Sequence, residues 1–431
     1  MRLVEMKKLY DRQEKHVHAL CSILNTYGSV LDSSETGTGK TVCGAEVARV
    51  CDAPTLVVCP KAVIPSWERE LKERGVGADV INYEKLRTGK TKFGKWKNKK
   101  WVWTIPQSLI IFDEAHKCSG VSTQNSKMLI EAKDEHAVLM LSATIANNPI
   151  QMRGAGWVLG AHALGNFWQW CFKYGCVKNR WNGVEFNGTQ SHIAALASSI
   201  SHRVARMTTA ELADHFTETQ IVTEPLAFGD EISDIYDEME KELAELDANA
   251  KADSKNKAAE ALVKQLRARQ RVELLKVPLI VEMVDDLLAE GKSVAVFVNF
   301  QQTLDALVDK IPGQVETIDG RQNAKQREDA IARFQHDHSR VIACNTAAGG
   351  VGVSLHDVTG KHPRAAIISP SWNEKDIVQV IGRVHRAGGK TPSMQRILFA
   401  AGTVEEKVQQ SVNQKIKRLK TLNEISCSPD S

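Results

Sequence analysis

The 431-residue chain has few of the features that mark specialised classes of protein. No run of about eighteen apolar residues occurs, so we expect no membrane span. The first residues lack the charged-then-apolar layout of a secretory signal, so we expect none. The nine cysteines form no CxxC pair and have no regular spacing, which favours reduced thiols in a cytosol-like compartment. Short repeats and low-complexity tracts are absent as well.

A strong charge of either sign is also missing. The net charge of +4 permits a polyanionic partner without demanding one, because affinity for phosphates depends on how the cations cluster. Cys171 and Cys176 lie near His162, but their spacing fits no common zinc pattern and favours core or surface thiols.

The chain does contain a regular alternation of strand-like and helix-like segments. Its length alone predicts two or three domains. Short apolar runs separated by helical stretches are typical of buried parallel strands joined by crossover helices. Two such sets predict an α/β fold with two lobes, each with a parallel central sheet, over residues 1–222 and 223–431. The runs are Ser29–Leu31, Thr55–Cys59, Ser108–Phe112 and Ala137–Leu141, then Ser293–Val298, Val315–Ile318, Val341–Cys344, Ala365–Ile368 and Gln395–Phe399.

Two segments between these sets have a different composition. Residues 155–216 are rich in Trp, Phe and His and predict a helical and aromatic insertion in the first lobe. Within it we interpret Trp168, Trp170 and Phe172 as core residues rather than a base-stacking platform. Residues 230–276 are charged and predict a helical segment that leads the second lobe.

Two helical faces complete the outline. Lys264, Arg267 and Arg271 are spaced to share one face, which we interpret as solvated. An apolar stripe within residues 403–420 predicts a C-terminal helix that braces the lobes.

A phosphate-binding loop is predicted between Ser34 and Thr41. The segment Ser-Glu-Thr-Gly-Thr-Gly-Lys-Thr follows a strand and precedes a helix, which is the context of a P-loop. Glycines let backbone N–H groups approach phosphate oxygens without an obstructing Cβ. Lys40 brings a positive charge to the β and γ phosphates, and Thr41 offers a hydroxyl to Mg²⁺. Ser34 replaces the first glycine of the common pattern, where a small residue should serve. The predicted nucleotide contacts are Gly37, Thr38, Gly39, Lys40 and Thr41.

Adjacent acids end the third buried strand of the first half. In open α/β folds, ligands bind at the carboxyl ends of the strands, so Asp113 can hold Mg²⁺ and Glu114 can act as general base for the attacking water. His116 completes the sequence Asp-Glu-Ala-His and can relay to the next strand end, where Ser142 and Thr144 offer hydroxyls that could couple the metal site to the other lobe. An Asp-Glu pair alone would indicate only a solvated strand end, but its order after the P-loop favours a catalytic role.

The second half contains a basic helical pattern from Gln379 to Arg386. Arg383 and Arg386 are three residues apart and are predicted to share a helical face, from which planar guanidinium groups could stabilise a γ-phosphate during transfer. The alternative is a basic surface helix. A glycine-rich loop from Thr346 to Gly352 follows a strand and could approach a nucleic-acid phosphate or the nucleotide.

A basic segment with interleaved aromatics spans residues 85–100. Lys95, Lys97 and Lys99 could neutralise phosphates while neighbouring indoles stack on bases. The alternative, weighted equally, is a solvated basic hairpin with its indoles in the core, because Trp101 and Trp103 alternate as in a half-buried strand.

Taken in this order, the motifs resemble those of superfamily 2 helicase-type motors, and finer features resemble their SWI/SNF branch. The middle region is similar to the annealing-helicase members of that branch. The stretches that carry the branch resemblance are Leu56–Trp67, Asn82–Glu84, Val296–Phe300, Ile318–Gly320, Arg327, Phe334 and His385–Gly388, and the middle-region stretches are Phe172–Cys176, Trp181–Gly183 and Arg203–Arg206.

The resemblance implies two RecA-like lobes that use ATP and Mg²⁺. It places adenine recognition at Gln13, further nucleotide contacts at Gly352 and Gln379, and nucleic-acid contacts at Lys61 and Thr346. Two departures stand out. Arg12 occupies a position where the family usually has an aromatic residue beside the glutamine, and Ser142-Ala-Thr resembles strand-separating helicases more than remodellers.

The function that the resemblance implies is a DNA-stimulated ATPase. It would translocate on duplex, forked or branched DNA and remodel it by branch migration, annealing or unwinding. An RNA helicase is the alternative, and a non-hydrolysing nucleotide switch is disfavoured by Lys40, Glu114 and Arg386. We expect a monomer without a membrane partner, in the cytoplasm of a bacterium or virus-infected cell, or in the nucleus of a eukaryote.

Overall fold

The computed structural model describes residues 8–143, 145–179, 183–208, 210–215, 217–226, 230–248, 254–346, 353–371, 374–406 and 409–410. They form two compact units that divide between Ala213 and Asp214. The unit before this point is called the N-terminal lobe, and the unit after it the C-terminal lobe. Thr144 and Gly352, two of the predicted site residues, lie outside the described residues.

The N-terminal lobe is built on a six-stranded sheet in which all pairs are parallel. The strands are β1 (Ser29–Asp32), β2 (Thr55–Cys59), β3 (Ala78–Asn82), β6 (Leu109–Asp113), β7 (Ala137–Leu141) and β10 (Val204–Ala205). They lie in the order β10-β1-β7-β6-β2-β3. Every residue of β1, β2 and β6 is buried, which explains the short apolar runs in the sequence.

Helices and two small hairpins surround this sheet. The hairpins are antiparallel and consist of β4 (Gly94–Lys97) with β5 (Lys100–Trp103), and of β8 (Cys176–Lys178) with β9 (Val184–Phe186). The helices are α1 (Asp11–Tyr27), α2 (Lys40–Cys51), α3 (Ile64–Glu73), α4 (Tyr83–Leu86), α5 (Gln124–Ile130), α6 (Arg153–Val158), α7 (Phe167–Lys173) and α8 (Gln190–Ile200).

The C-terminal lobe contains a second six-stranded parallel sheet. Its strands are β11 (Thr219–Leu226), β12 (Ser293–Val298), β13 (Val315–Ile318), β14 (Val341–Asn345), β15 (Arg364–Ile368) and β16 (Ser393–Ala400), in the order β11-β16-β15-β12-β14-β13. Its helices are α9 (Asp230–Ala248), α10 (Ser254–Leu275), α11 (Val277–Ala289), α12 (Gln301–Lys310), α13 (Ala324–Gln335) and α14 (Glu374–Val384).

The two parallel sheets confirm the predicted fold class of two α/β lobes. The predicted boundary at residues 222 and 223 falls inside β11, which pairs with β16 along its whole length. The division lies earlier, after Ala213. β11 is an edge strand whose sequence mixes polar and apolar residues, so it forms no apolar run that would predict a strand. No helix among the described ranges is long and apolar enough to cross a bilayer.

The charged helical segment forms the antiparallel partners α9 and α10. The face predicted to be solvated meets the acids of α9, because Lys264 Nζ lies 2.8 Å from Glu242 Oε2 and Arg271 Nη1 lies 3.2 Å from Glu238 Oε2. The second pair is about 60% exposed on both sides, so it adds little stability.

The predicted C-terminal helix lies mostly outside the described residues. Its described beginning, residues 404–406, is helical and includes the buried Glu405. Lys276 Nζ lies 2.6 Å from Glu405 Oε2, and the Tyr236 hydroxyl donates to Glu405 Oε1 at 2.9 Å. The start of this helix is therefore fixed to the helical segment that leads the C-terminal lobe.

Candidate nucleotide site

The predicted phosphate loop connects β1 to α2. Gly37 and Gly39 have φ angles of 92° and 96°, in the left-handed region that favours glycine. Helix α2 begins at Lys40 directly after Gly39, so the positive end of the helix points at the loop. Lys40 Nζ donates to the carbonyl oxygens of Ser34 at 2.7 Å and of Glu35 at 2.9 Å. The amine thus lies inside the curve of the loop, where a phosphate chain would bind.

Gln13 holds this loop from the side of α1. Its Nε2 donates to the carbonyl of Thr38 at 2.9 Å, and its Oε1 accepts the N–H of Tyr10 at 3.1 Å. A Cβ added at Gly39 would come within 2.6 Å of Gln13 Nε2, so glycine there is needed both for its φ and for this close approach. The predicted adenine contact of Gln13 stays a prediction, but its position at the loop is clear.

A buried polar network beneath the loop was missed by sequence reasoning. His16, Asp32 and Ser34 are each at most 4% exposed. His16 Nε2 lies 3.1 Å from Asp32 Oδ1 and 3.2 Å from Ser34 Oγ. Ser34 Oγ also accepts the backbone N–H of Met207 at 2.9 Å. Ser34 therefore does more than supply a small residue, because its hydroxyl joins the loop to α1 and to the segment after β10.

The charge state of Asp32 follows from this network. Burial alone would raise the pKa of its carboxyl, but His16, the nearby Lys40 and the hydrogen bond from Ser34 outweigh burial and lower it. Asp32 is thus held as a carboxylate within the lobe.

Asp113 lies at the carboxyl end of β6, as predicted, and is held by three neighbours. The indole N–H of Trp67 donates to its Oδ2 at 2.8 Å, and the N–H of Glu114 donates to its Oδ1 at 2.9 Å. The Tyr83 hydroxyl donates to its carbonyl oxygen at 2.8 Å. Burial, reinforced by the neighbouring Glu114, raises the pKa of Asp113 to about 6. Trp67 and Tyr83 both hold Asp113, although the sequence predicts a role for neither; both lie in stretches that resemble the SWI/SNF branch.

Glu114, His116 and Ser142 come together at the same edge of the sheet. His116 Nδ1 lies 3.2 Å from Glu114 Oε2 and 3.3 Å from Ser142 Oγ. Glu114 has a φ of 53°, which an ordinary side chain adopts only under constraint. The imidazole therefore connects the predicted general base to the end of β7, the arrangement that a coupling role requires.

The oxygen atoms at this edge fit Mg²⁺. Thr41 offers a hydroxyl in the first turn of α2, and each carboxylate oxygen of Asp113 keeps a second lone pair beyond the hydrogen bond it accepts. Hard oxygen ligands in small number suit Mg²⁺, which is usually held by one or two protein groups together with substrate phosphates. The described part of the chain has no cluster of three or more His, Cys, Asp or Glu residues suited to a metal.

Gly44 in α2 provides a test of how Trp67 is held. A Cβ at Gly44 would lie 2.8 Å from Trp67 Cη2 and 3.2 Å from Leu141 Cδ1. Trp67 is fully buried and bound to Asp113, so it cannot move away cheaply. We expect Gly44→Ala to lower the free energy of unfolding by about 1–3 kcal/mol through overpacking and to reduce ATP turnover.

The matched control is Gly77→Ala, because a Cβ at Gly77 meets no atom within 4 Å. Thermal unfolding followed by circular dichroism, with steady-state ATPase on the same samples, compares the two. Equal stability and turnover for both variants would contradict the packing argument.

Arg12, the departure beside Gln13, forms an ion pair with Glu211. Glu211 Oε2 also accepts the N–H of Thr208 at 2.7 Å. Arg206 Nη2 lies 2.7 Å from Glu35 Oε1 of the phosphate loop. Arginines on both sides of the loop are thus tied to acids in the N-terminal lobe.

The two predicted arginine fingers converge on one carbonyl in the C-terminal lobe. Arg383 Nη1 and Arg386 Nη2 donate to Val353 O at 3.4 Å and 3.0 Å. The predicted shared helical face is wrong, because α14 ends at Val384 and Arg386 lies beyond it. Gln379 lies in α14. The segment that carries both guanidinium groups is therefore bound to the chain after the glycine-rich loop.

The predicted nucleic-acid contacts fall into two groups. Lys61 is exposed in the short helical turn after β2. Thr346 is 5% exposed, and its hydroxyl donates to Val298 O at 3.1 Å. The predicted contact of Thr346 with nucleic acid stays a prediction, and its side chain points into the lobe.

The basic segment is a hairpin with two different faces. Lys95 and Lys97 are exposed on β4, and Trp101 and Trp103 on β5 are 1% and 6% exposed. The turn residue Lys99 is exposed as well, with a φ of 62°. The indoles of β5 thus belong to the core and the lysines point to solvent, as the alternative of a solvated basic hairpin predicted.

The aromatic insertion differs from the expectation. Trp170 is 9% exposed, but Trp168 and Phe172 are 43% and 38% exposed. The prediction of a core role is wrong for these two, because α7 buries only the face that contains Phe167, Trp170 and Cys171.

Comparison with known proteins identifies the family. A model of the helicase conserved C-terminal domain matches residues 276–388. A protein of Acanthamoeba polyphaga mimivirus, provisionally named an ATP-dependent RNA helicase, is 31% identical over 456 residues, which cover 97% of this chain and 84% of that protein. A SWI/SNF-related matrix-associated actin-dependent regulator of chromatin, subfamily A-like protein 1, of Drosophila melanogaster is 24% identical over 90% of this chain and 52% of its own length. The solved SWI2/SNF2 ATPase core of Sulfolobus solfataricus in complex with dsDNA covers 99% of this chain and 97% of its own at 18% identity, with a TM-score of 0.40.

The mimivirus relative is 31% identical over 97% of this chain and 84% of its own length. Together with the helicase domain match, this establishes that the chain is a member of the helicase family. ATP is the substrate that this family hydrolyses, in general together with Mg²⁺. The chain belongs to the ATP-dependent helicases, is similar to SWI/SNF-related proteins, and is an ATP-hydrolysing enzyme of the helicase and translocase class.

Proposed function

We propose that the protein is a DNA-dependent motor that translocates on duplex or branched DNA and remodels forks or junctions. The observation that carries the proposal is the combination, in one lobe, of a complete phosphate and carboxylate site with a separate solvent-facing row of lysines. The first can bind and hydrolyse ATP, and the second can bind a polyanion.

The site supports hydrolysis rather than nucleotide binding alone. Lys40 would neutralise the phosphates, and Glu114 lies beside Asp113 with His116 against its carboxylate. Mg²⁺, held through Thr41 and Asp113, would supply the positive charge that the transferring phosphoryl group requires. The remaining chemistry belongs to this chain. Glu114 accepts the proton of the attacking water, and His116 couples Glu114 to Ser142 at the end of β7.

The arginines of the C-terminal lobe have a proposed role of their own. Arg383 and Arg386 would stabilise the charge that develops on the γ-phosphate, and their shared partner Val353 O would be exchanged for phosphate oxygens.

The lysine row is rigid enough to bind a phosphate backbone. β4 and β5 pair in register, with Trp96 opposite Trp101 and Lys97 opposite Lys100. The rings of Trp103 in β5 and Phe112 in β6 meet edge to face at 6.4 Å, which anchors the hairpin on the lobe. Lys95 and Lys97 are two residues apart in β4 and therefore point to the same face of the hairpin.

Charge reversal tests this surface. We expect the combined variant Lys95→Glu, Lys97→Glu and Lys99→Glu to reduce the stimulation of ATPase by duplex DNA by about tenfold or more. It should also lower the slope of log affinity against log salt by about 2–3, because each lost phosphate contact removes about 0.9 from that slope.

The control carries the same charge change at exposed lysines of the other lobe, Lys241, Lys310 and Lys325. Unchanged stimulation and salt slope in the hairpin variant would remove this surface from the DNA path.

An RNA helicase is the second candidate, favoured by the name of the mimivirus relative. ATPase stimulation by single-stranded, duplex, forked and four-way DNA and by matched RNA separates the candidates, with strand-displacement and annealing assays on the same substrates. Stimulation by RNA alone would replace the DNA proposal. Fork remodelling by annealing rests on the similarity of the middle region to annealing helicases, and a motor that displaces strands without annealing them would refute that part.

A further inference from the structure

Helix α7 has one aromatic face that packs into the lobe and a second that does not. Phe167, Trp170 and Cys171 are buried, whereas Trp168 and Phe172 are 43% and 38% exposed. The two exposed rings are four residues apart and so share one side of the helix. We propose that Trp168 and Phe172 form a stacking platform for unpaired bases of the nucleic acid, a site that rests on the proposed function and deepens it.

The exposed rings are not needed to complete the core. The inner face already has its own aromatic contacts, because the rings of Phe167 and Trp170 lie 6.1 Å apart and those of His162 and Trp170 lie 4.8 Å apart. The ring of Trp168 contacts Phe167 at 4.9 Å, which limits its motion while leaving much of its surface in water. Large aromatics that remain exposed and fixed in this way are typical of binding surfaces.

The surroundings favour a polyanion over other occupants. From His136 to Ala210 the sequence contains a single acidic residue, Glu185, and six lysines and arginines. Lys173 and Lys178 in this segment are exposed, and Val177 is 40% exposed. A phosphate bound beside the rings would therefore have the exposed Lys173, next to Phe172 in α7, as a neighbouring cation.

Stacking selects the form of the nucleic acid. The faces of paired bases are covered within a duplex, and only unpaired bases can lie flat on aromatic rings. The lysines of the β4–β5 hairpin need only the phosphate backbone and do not distinguish these forms. We therefore expect the platform to add affinity for single-stranded and forked DNA and none for blunt duplex.

The test compares the wild-type chain with the variant Trp168→Ala and Phe172→Ala. Fluorescence anisotropy measures the affinity of each for a labelled 15-nucleotide oligo(dT), for an abasic strand of the same length, and for a blunt duplex. We expect the alanine variant to lose about tenfold or more in affinity for oligo(dT) and less than about twofold for the abasic strand and the duplex. A second variant, Trp168→Phe and Phe172→Tyr, keeps both rings and should restore binding of oligo(dT).

The outcomes separate this inference from the function on which it rests. Equal oligo(dT) affinity of the wild type and the alanine variant, as a protein-docking surface would give, overturns the platform. An equal loss on oligo(dT) and the abasic strand also overturns it, because the contact would then be to phosphates. Stimulation of the wild-type ATPase by duplex DNA tests the motor function independently of Trp168 and Phe172. Circular dichroism of the folded variants accompanies each comparison.

Discussion

Replacement of Lys40 by alanine is expected to lower ATP turnover at saturating DNA by at least about a hundredfold. The amine lies inside the phosphate loop, 2.7 Å from Ser34 O and 2.9 Å from Glu35 O, where it would meet the triphosphate. Removal of one preorganised charge that stabilises a transition state costs about 10²–10³ in rate. Alanine is a good helix former, so α2 can still begin at this position.

Steady-state ATPase measures the loss of turnover, and equilibrium binding of a fluorescent ATP analogue measures the change in nucleotide affinity. The control is Lys72→Ala, an exposed lysine in α3 of the same lobe. A Lys40→Ala enzyme with turnover within tenfold of the wild type would refute the assignment of the phosphate loop.

Glu114→Gln is expected to lower ATP turnover by a factor of similar size while leaving nucleotide binding intact. A positioned general base contributes about 10²–10⁴ in rate, so turnover should fall by that factor. Glutamine has nearly the same shape, so the left-handed backbone at φ 53° and the position of His116 need not change. Binding of ATP with Mg²⁺ should therefore persist.

Comparison with Asp113→Asn sharpens this prediction. Asp113 is the proposed ligand of Mg²⁺, so its variant should lose affinity for the magnesium nucleotide as well as turnover. Single-turnover hydrolysis with separate titrations of nucleotide and Mg²⁺ distinguishes the two patterns. Loss of nucleotide affinity in Glu114→Gln equal to that in Asp113→Asn would contradict the role of general base.

The parts of the site that the sequence predicts are those with local geometric demands. Gly37 and Gly39 adopt left-handed backbone angles within the loop itself, and Asp113 ends a strand that is apolar throughout. These requirements leave a pattern within a few residues, which can be read without knowledge of the fold.

The partners that hold the site depend on contacts between distant segments. Trp67 is 46 residues from Asp113, and Met207 is 173 residues from Ser34. No local pattern specifies such pairs, because the sheet order brings them together. The same reason explains β11, whose mixed polar and apolar sequence forms no apolar run and which pairs with β16 along its whole length. Helix ends are also set by tertiary contacts, and the position of Arg386 beyond α14 depends on its hydrogen bond to Val353.

The serine in place of glycine at the start of the phosphate loop has a consequence for how nucleotide binding is communicated. Ser34 and Glu35 hold the stretch from Ala205 to Met207 through a hydroxyl, an ion pair with Arg206 and a backbone bond of 3.0 Å. That stretch leads into the point where the chain passes from one lobe to the other. These contacts join the phosphate loop to the lobe connection, so we expect an ATP-filled enzyme and an empty one to differ in hydrogen exchange at that connection.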